Sequence, residues 1–305
     1  MKKYDLHIHS RFSDGDHTIE EIVSQIRKCG IEIFSITDHD NIDSIKAMEN
    51  VDYNGLIYIP GVELSCFKNR YDMHILGYGI DGNNHDLIQI CKNLKLRKNL
   101  RNLEVIQQLK DKFGIIVTKE ETLDLLNKKS FVGQTTIARL LVDKGIIPNV
   151  KFYFENYFPN IKPKIRATID LNEAIRIIHN AGGYAVLAHP ISIEKNYGVN
   201  IEEIFRIFVD AGIDGIEIFN SKHSLSDIKR YYKLAKKEDM LISGGSDYHG
   251  KIMKPNVKLG AISSDGTEKQ EHYKISVISK CLLKECYRGI EFNDDNEEYF
   301  YTIGK

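Results

Sequence analysis

A chain of 305 residues, 42% of them hydrophobic, can bury the core of one large α/β domain, or of a domain carrying a smaller insert. Acidic and basic residues nearly cancel to a formal charge of −1, which removes any global argument for nucleic-acid or anionic-membrane binding. The five cysteines (Cys29, Cys66, Cys91, Cys281, Cys286) form no CxxC pair, against both a disulfide framework and a Cys-rich zinc site.

Charges and histidines within Met1 to Ser10 leave no apolar signal core. No apolar run approaches the ~20 residues of a membrane span. The expectation is a cytoplasmic protein with reduced thiols, no membrane contact and no obligate protein partner.

In chain order, Tyr4 to Ile8 reads as a strand. A helix follows, opened by the capping box of Thr18 and Glu21 and ended at Gly30. Ile33 to Thr37 is a second strand. Leu56 to Leu64, interrupted by Pro60 and Gly61, is a third, and Met73 to Tyr78 a fourth. From Asp86 to Gly183 the pattern turns helical, with Leu87, Ile90, Leu94, Leu103, Ile106 and Leu109 spaced for one face. Thr118 and Glu121 cap another helix. Gln134 to Lys144 is a third, Asn149 to Lys164 reads as irregular, and Asp170 with Glu173 opens a fourth. Strand–helix alternation then returns. Tyr184 to Ala188, Gly215 to Phe219 and Leu241 to Ser243 are strands, separated by helices over Ile201 to Ala211 and Leu225 to Lys237.

Seven strands with helical crossovers suggest a parallel α/β barrel. Residues 1–86 and 184–262 would form it, residues 87–183 a helical insertion after the fourth strand, and residues 263–305 a tail of uncertain packing. Within that tail Ser263 to Gln270 reads as a polar loop, and Tyr273 to Leu283 fits either helix or strand.

Chemistry-bearing residues gather at the strand ends. The first strand carries His7 and His9, which share a face, with Asp14 beyond. The second ends in Asp38-His39-Asp40, the third in Glu63, and His74 stands at the start of the fourth. His189 ends the fifth, and the seventh runs into Asp247 and His249. Alone, each piece is ordinary: a His-x-His on a surface strand, a turn aspartate, a core histidine. Yet six of the eleven histidines fall at or beside predicted strands, each near a carboxylate or another imidazole. Imidazole and carboxylate together form the donor set of Zn²⁺, Mn²⁺ and Fe²⁺. Nine such residues exceed one ion's needs of about four to six ligands, so two or three ions are expected.

The pieces Asp5-Leu6-His7-Ile8-His9-Ser10, Thr37-Asp38-His39-Asp40, Gly61-Val62-Glu63, His74, Ala188-His189-Pro190 and Gly245-Ser246-Asp247-Tyr248-His249 resemble, in order and spacing, those of the polymerase and histidinol phosphatase (PHP) family. The resemblance implies a distorted (β/α)7 barrel with a trinuclear manganese, zinc or iron centre and phosphoesterase activity. It carries metal-ligand roles onto His7, His9, Asp14, His39, Glu63, His74, His189, Asp247 and His249, with Glu63 and Asp247 as the bridging or shared carboxylates. The stand-alone branch with a helical insert is similar to 3′,5′-nucleoside bisphosphate phosphatases and a phosphoribosyl 1,2-cyclic phosphate hydrolase. That branch usually carries Gly-Arg-Pro-His-Ile-Ala-Arg, where this chain has Gly133-Gln134-Thr135-Thr136-Ile137-Ala138-Arg139. With Gln134 and Thr136 in place of the cationic groups, a substrate with one phosphoryl group or a cyclic diester fits better than a bisphosphate.

The expected reaction is attack by a metal-bridging hydroxide on a small nucleotide or sugar phosphate. Asp14, Glu63 and Asp247 would serve catalysis together with His223, a candidate proton donor or phosphate ligand that could equally be a polar loop residue. Arg97, Arg101 and Arg139 are candidate phosphate contacts, each with a solvated or structural role as the plainer reading. Asp38 fits an orienting role, and Glu217 is an inward carboxylate either structural or functional. The alternatives are a bisphosphatase, a 5′–3′ exonuclease on short oligonucleotides, a histidinol-phosphatase-like enzyme, and a regulatory module that holds metal without turnover.

Overall fold

The computed structural model describes residues 3–127, 133–261, 263, 272–274, 280–281 and 300–302. In chain order its strands are β1 (Lys3–Ile8), β2 (Ile31–Ile36), β3 (Ile57–Tyr58), β4 (Gly61–Lys68), β5 (Tyr71–Tyr78), β6 (Ile169–Asp170), β7 (Tyr184–Leu187), β8 (Gly215–Asn220) and β9 (Leu241–Gly245). Two more, β10 (His272–Lys274) and β11 (Phe300–Thr302), pair antiparallel. The first sheet has the order β1-β2-β3 and is parallel, and the second has the order β6-β4-β5-β7-β8-β9. Two parallel bridges join the sheets, Ile8 to Tyr248 and His39 to Glu63.

Helices alternate with the strands as the caps require. Helix α1 (Ile19–Cys29) opens on the reciprocal Thr18–Glu21 box and closes at Gly30, whose φ of 66° suits a residue without Cβ. The short α2 (Asp43–Met48) follows β2. Four helices come next: α3 (His85–Phe113), α4 (Lys119–Asn127), α5 (Gln134–Asp143) and α6 (Val150–Asn156). They bury their own apolar cluster, which includes Val105, Leu109, Ile137, Leu141 and Tyr153. After these come α7 (Leu171–Asn180), α8 (Ile191–Tyr197), α9 (Ile201–Ile204), α10 (Arg206–Asp210) and α11 (Leu225–Lys237). The main core lies between the second sheet and these later helices. A second core joins β1, β2 and α1.

Three expectations change. The sheet is mixed: β5 runs antiparallel to both β4 and β7. Only Asn69 and Arg70 separate β4 from β5, with Asn69 at φ 55°, and two residues make a hairpin where a parallel crossover needs a dozen. The expected third strand is two, because Pro60 interrupts it and β3 and β4 join different sheets. The segment read as irregular holds α6, whose first turn is capped by Asn149 accepting from Phe152 N at 2.9 Å. Among the described residues no helix is long and apolar enough to cross a membrane. Of the expected loop Ser263 to Gln270 only Ser263 is described; of the segment Tyr273 to Leu283, residues 273–274 end β10 and 280–281 are described, and the rest lies outside the described residues.

Candidate metal centre

Reversal of β5 has a direct effect on the site. Running against β7, β5 brings its first half beside the C-terminal end of β7, and running against β4 it sets His74 opposite Ser65. His74 thereby faces Glu63, the third residue of β4, with Nδ1 and Oε1 2.9 Å apart. Glu63 is fully buried and forms the hub. Its Oε1 also lies 3.0 Å from His189 Nε2. Its Oε2 lies 3.0 Å from His39 Nδ1, 3.1 Å from His9 Nε2 and 3.2 Å from His7 Nε2. Asp247 brings Oδ1 to 3.5 Å from His7 Nε2 and 3.4 Å from His9 Nε2. Asp14 meets His249 Nε2 at 3.2 Å.

All of these donors but His189 fall into three adjoining groups: His9, Asp14, His39 and His249; His7, His9, Glu63 and Asp247; and His39, Glu63 and His74. Within each, one donor atom per residue lies within 4.8 Å of all the others. His9, His39 and Glu63 are shared between groups, which is the arrangement expected where neighbouring cations share ligands.

Buried supports hold the donors in place. Glu217 accepts from His7 Nδ1 at 2.9 Å and from the His189 backbone N–H at 2.7 Å, which aims His7 Nε2 at the cluster. Asp5 accepts from Ser246 N, Ser246 Oγ, Gly260 N and His7 N, tying β1 to the segment after β9. Asp38 accepts from Ser10 N, Ser10 Oγ and Ser13 Oγ, fixing the loop that delivers Asp14. His189, Asp40 and Asp247 have positive φ values of 25°, 49° and 59°, and such strained backbone collects at functional sites.

Electrostatics suit cations. Burial alone would raise the Glu63 carboxyl, but His39, His7 and His74 outweigh it and hold the group well below the usual carboxylate range. Asp14 is held low against burial by His249 and His39, and Asp247 by Lys222 and Lys254. Burial, with His9 next, lowers His249 to about 3, so its ring is a neutral donor. His7 shifts well above its usual value despite burial, because Glu217, Glu63 and Asp247 surround it; a cation would displace that proton. Asp14 Oδ1 and Glu63 Oε2 are buried with no hydrogen-bond partner among the described residues, and orphaned carboxylate oxygens ringed by imidazoles fit divalent cations.

A cavity of about 600 Å³ opens above the cluster, floored by Asp14, His39, His74 and His189. Its far wall comes from α3, α5 and residues 163–168, and includes Lys98, Arg101, Gln134 and Arg166. Lys98 ion-pairs with Asp40 and so ties α3 to the strand ends. The Arg101 Nε is buried with no hydrogen-bond partner among the described residues. The Gln134 side chain accepts from the Tyr153 hydroxyl.

Three sequence candidates do not line this cavity. Arg97 is exposed and donates to Thr168 O at 3.4 Å. Arg139 donates to Asp16 Oδ1 at 2.5 Å and to Asp14 O at 3.0 Å, so it braces the Asp14 loop. His223 is fully buried, donates from Nδ1 to Ile218 O at 2.7 Å, and packs against Tyr231. Sequence reading missed Lys222 and Lys254, both on Asp247 Oδ2 at 2.9 and 2.6 Å. Lysines carry no spacing signature, and only the fold brings these two together.

An α/β scaffold that converges buried imidazoles and carboxylates around one glutamate offers the donor set of a metal-dependent hydrolase. The PHP domain matches residues 5–212, and the chain belongs to that family. The chain is 29% identical over 254 residues to the phosphoribosyl 1,2-cyclic phosphate 1,2-diphosphodiesterase of Eggerthella lenta, covering 81% of this chain and 94% of the relative. It is 30% identical to the 3′,5′-nucleoside bisphosphate phosphatase of Chromobacterium violaceum, covering 82% and 88%. To the 5′-3′ exoribonuclease of Haemophilus influenzae it is 30% identical, covering 81% and 90%. A solved chain from Bifidobacterium adolescentis shares the fold with a TM-score of 0.73 at 24% identity, over 92% of this chain and 96% of that one. A Chromobacterium violaceum structure described as an amidohydrolase with bound sulfate superposes with a TM-score of 0.72 at 29% identity, over 81% and 87%. Cleavage of a phosphoric ester is common to the named relatives, and the chain is a hydrolase of that kind.

Proposed function

We propose that the chain is a cytoplasmic enzyme that hydrolyses one phosphate ester of a small nucleotide or sugar phosphate, as a phosphomonoesterase or a cyclic phosphodiesterase. One observation carries the reading: three donor groups, linked to one another through His9, His39 and Glu63, adjoin a cavity floored by Asp14, His39, His74 and His189, whose opposite wall carries Lys98, Arg101 and Arg166. In this reading β1, β2, β4, β5, β7, β8 and β9 form the distorted (β/α)7 barrel of residues 1–86 and 184–262. Residues 87–183 are the insertion that walls the substrate site.

His7, His9, Asp14, His39, Glu63, His74, His189, Asp247 and His249 would hold two or three Mn²⁺, Zn²⁺ or Fe²⁺ ions. Bound there, the ions supply Lewis-acid neutralisation of phosphoryl oxygens and a water acidified toward neutral pH. The protein's own part is positional. Glu217 and Asp38 fix the donor geometry, and Arg101 offers its guanidinium to a phosphoryl oxygen. Depth and the insert's wall limit bulk water.

The insert supports a substrate with a single phosphoryl group. Gln134 is neutral and occupied by Tyr153, and Thr136 is neutral too, so the first turn of α5 brings no cation to a second phosphate. The second reading, a bisphosphatase or an exonuclease on short oligonucleotides, is favoured by the names of the Chromobacterium and Haemophilus relatives. Manganese-loaded protein incubated with mononucleotides, nucleoside bisphosphates, sugar cyclic phosphates and short oligonucleotides separates the two. Phosphate release or ring opening confined to the small single-phosphoryl esters is expected. Trimming of oligonucleotides, or a preference for bisphosphates, would overturn it.

A further inference from the structure

Two ammonium groups converge on one carboxylate oxygen at the edge of the cluster. Lys222 Nζ lies 2.9 Å from Asp247 Oδ2 and Lys254 Nζ 2.6 Å from the same atom. Lys222 follows β8, its backbone N–H held by Asn220 Oδ1 at 3.0 Å. Lys254 lies beyond the end of β9, its backbone N–H bonded to Gly250 O at 3.1 Å. Both arise from strand-end segments, the side where the donors gather.

Holding Asp247 in place requires one such partner. A carboxylate of charge −1 cannot neutralise two ammonium groups, and its other oxygen, Oδ1, already faces His7, His9 and His249. Each ammonium has three N–H donors. Asp247 takes one from Lys222 and, through Oδ2 and its backbone carbonyl, two from Lys254. Donors therefore remain. The side chains keep 35% and 26% of their surface exposed, so an anion can reach them from solvent.

We propose that Lys222 and Lys254 form a two-ammonium seat for a phosphoryl group beside the His7–His9–Glu63–Asp247 cluster. This rests on the phosphoesterase reading and deepens it: it adds two protein cations, outside the cavity wall that carries Arg101, to those that meet a phosphoryl group, in a chain whose α5 places Gln134 and Thr136 where charge would otherwise stand. Lysine is suited to this as a compact point charge on a flexible stem. The seat discriminates by charge and not by the shape of the esterified group.

The test uses inorganic phosphate as the probe. Equilibrium dialysis of radiolabelled phosphate against the manganese-loaded full chain compares wild type with Lys222→Ala, Lys254→Ala, the double variant and Lys222→Arg. Each alanine is expected to weaken phosphate binding about tenfold or more, the scale of one charge-assisted hydrogen bond, while the arginine variant stays close to wild type. Manganese per chain stays constant in all four. Phosphate binding absent from wild type, or unchanged in both alanine variants, overturns the seat. So does loss of manganese in parallel with phosphate, since the pair would then act only through Asp247. Thermal melts check folding, and Lys→Met at either position repeats the comparison with the alkyl packing kept. A wild type that binds phosphate and cleaves no ester sinks the phosphoesterase reading and leaves the seat standing. An active wild type with an indifferent lysine pair does the reverse.

Discussion

Individual side chains divide into those that would meet a cation and those that aim them. Glu63 touches five imidazoles, so it belongs to the first kind. Glu63→Gln removes the charge at nearly constant volume. Turnover is expected to fall by about 10²–10³ or more. Bound manganese should fall with it, read by elemental analysis of dialysed protein; full metal content and activity in this variant would remove the hub. His223 makes the opposite case. Burial lowers it to about 4, and it stays neutral in the folded chain. The unfolded chain protonates the same ring near 6.5, so between those values the unfolded state binds a proton that the native state refuses. Its stability contribution is complete above pH 6.5 and is lost as pH falls toward 4, by about 3 kcal/mol at most. Urea unfolding of wild type and His223→Phe should show the wild type losing that much more between pH 7 and pH 4. Parallel slopes would mean that the ring is not buried neutral.

At the scale of elements, close approach of backbone explains the site's precision. A Cβ on Gly245 would collide with the backbone of His7, so β9 and β1 touch only because that position is bare. Gly245→Ala is expected to cost about 1–3 kcal/mol of stability and to loosen metal binding at the same time, because Asp247 lies two residues on. Chemical denaturation beside manganese titration checks this, and lost stability with unaltered metal affinity would uncouple the two strands. Several elements were legible beforehand. The Thr18–Glu21 box, Gly30 and the alternation around His7 and His9 are local signals, and they agree with α1 and β1 as found. Reversal of β5 was not legible. Asn69-Arg70 lacks the Asn-Gly signature of a tight hairpin, and an apolar strand has no direction in its composition. Arg97 and Arg101 were hard to rank for the same kind of reason. A charged helix face looks alike whether it meets water or, like Arg101, lines a cavity over imidazoles.

For the molecule as a whole, the proposed centre would link cation binding to folding. Its ligands would come from segments as far apart as His7 and His249, so the unfolded chain has no comparable site. Manganese should therefore raise the melting temperature, and a chelator should lower it. Metal at 100 times its dissociation constant adds about 2.7 kcal/mol, equivalent to several degrees for a chain of this size. Scanning calorimetry with and without manganese reads the shift directly, and coincident melts would argue against a shared centre. The Asp5–Ser246 bonds span 241 residues of chain, which gives the site a place in time as well as in space. During synthesis the β4–β5 hairpin, with Glu63 and His74, can form soon after it leaves the ribosome. Asp5 must wait for almost the entire polypeptide to emerge. A chain cut short before Ser246 would lack that tie and the proposed ligands Asp247 and His249.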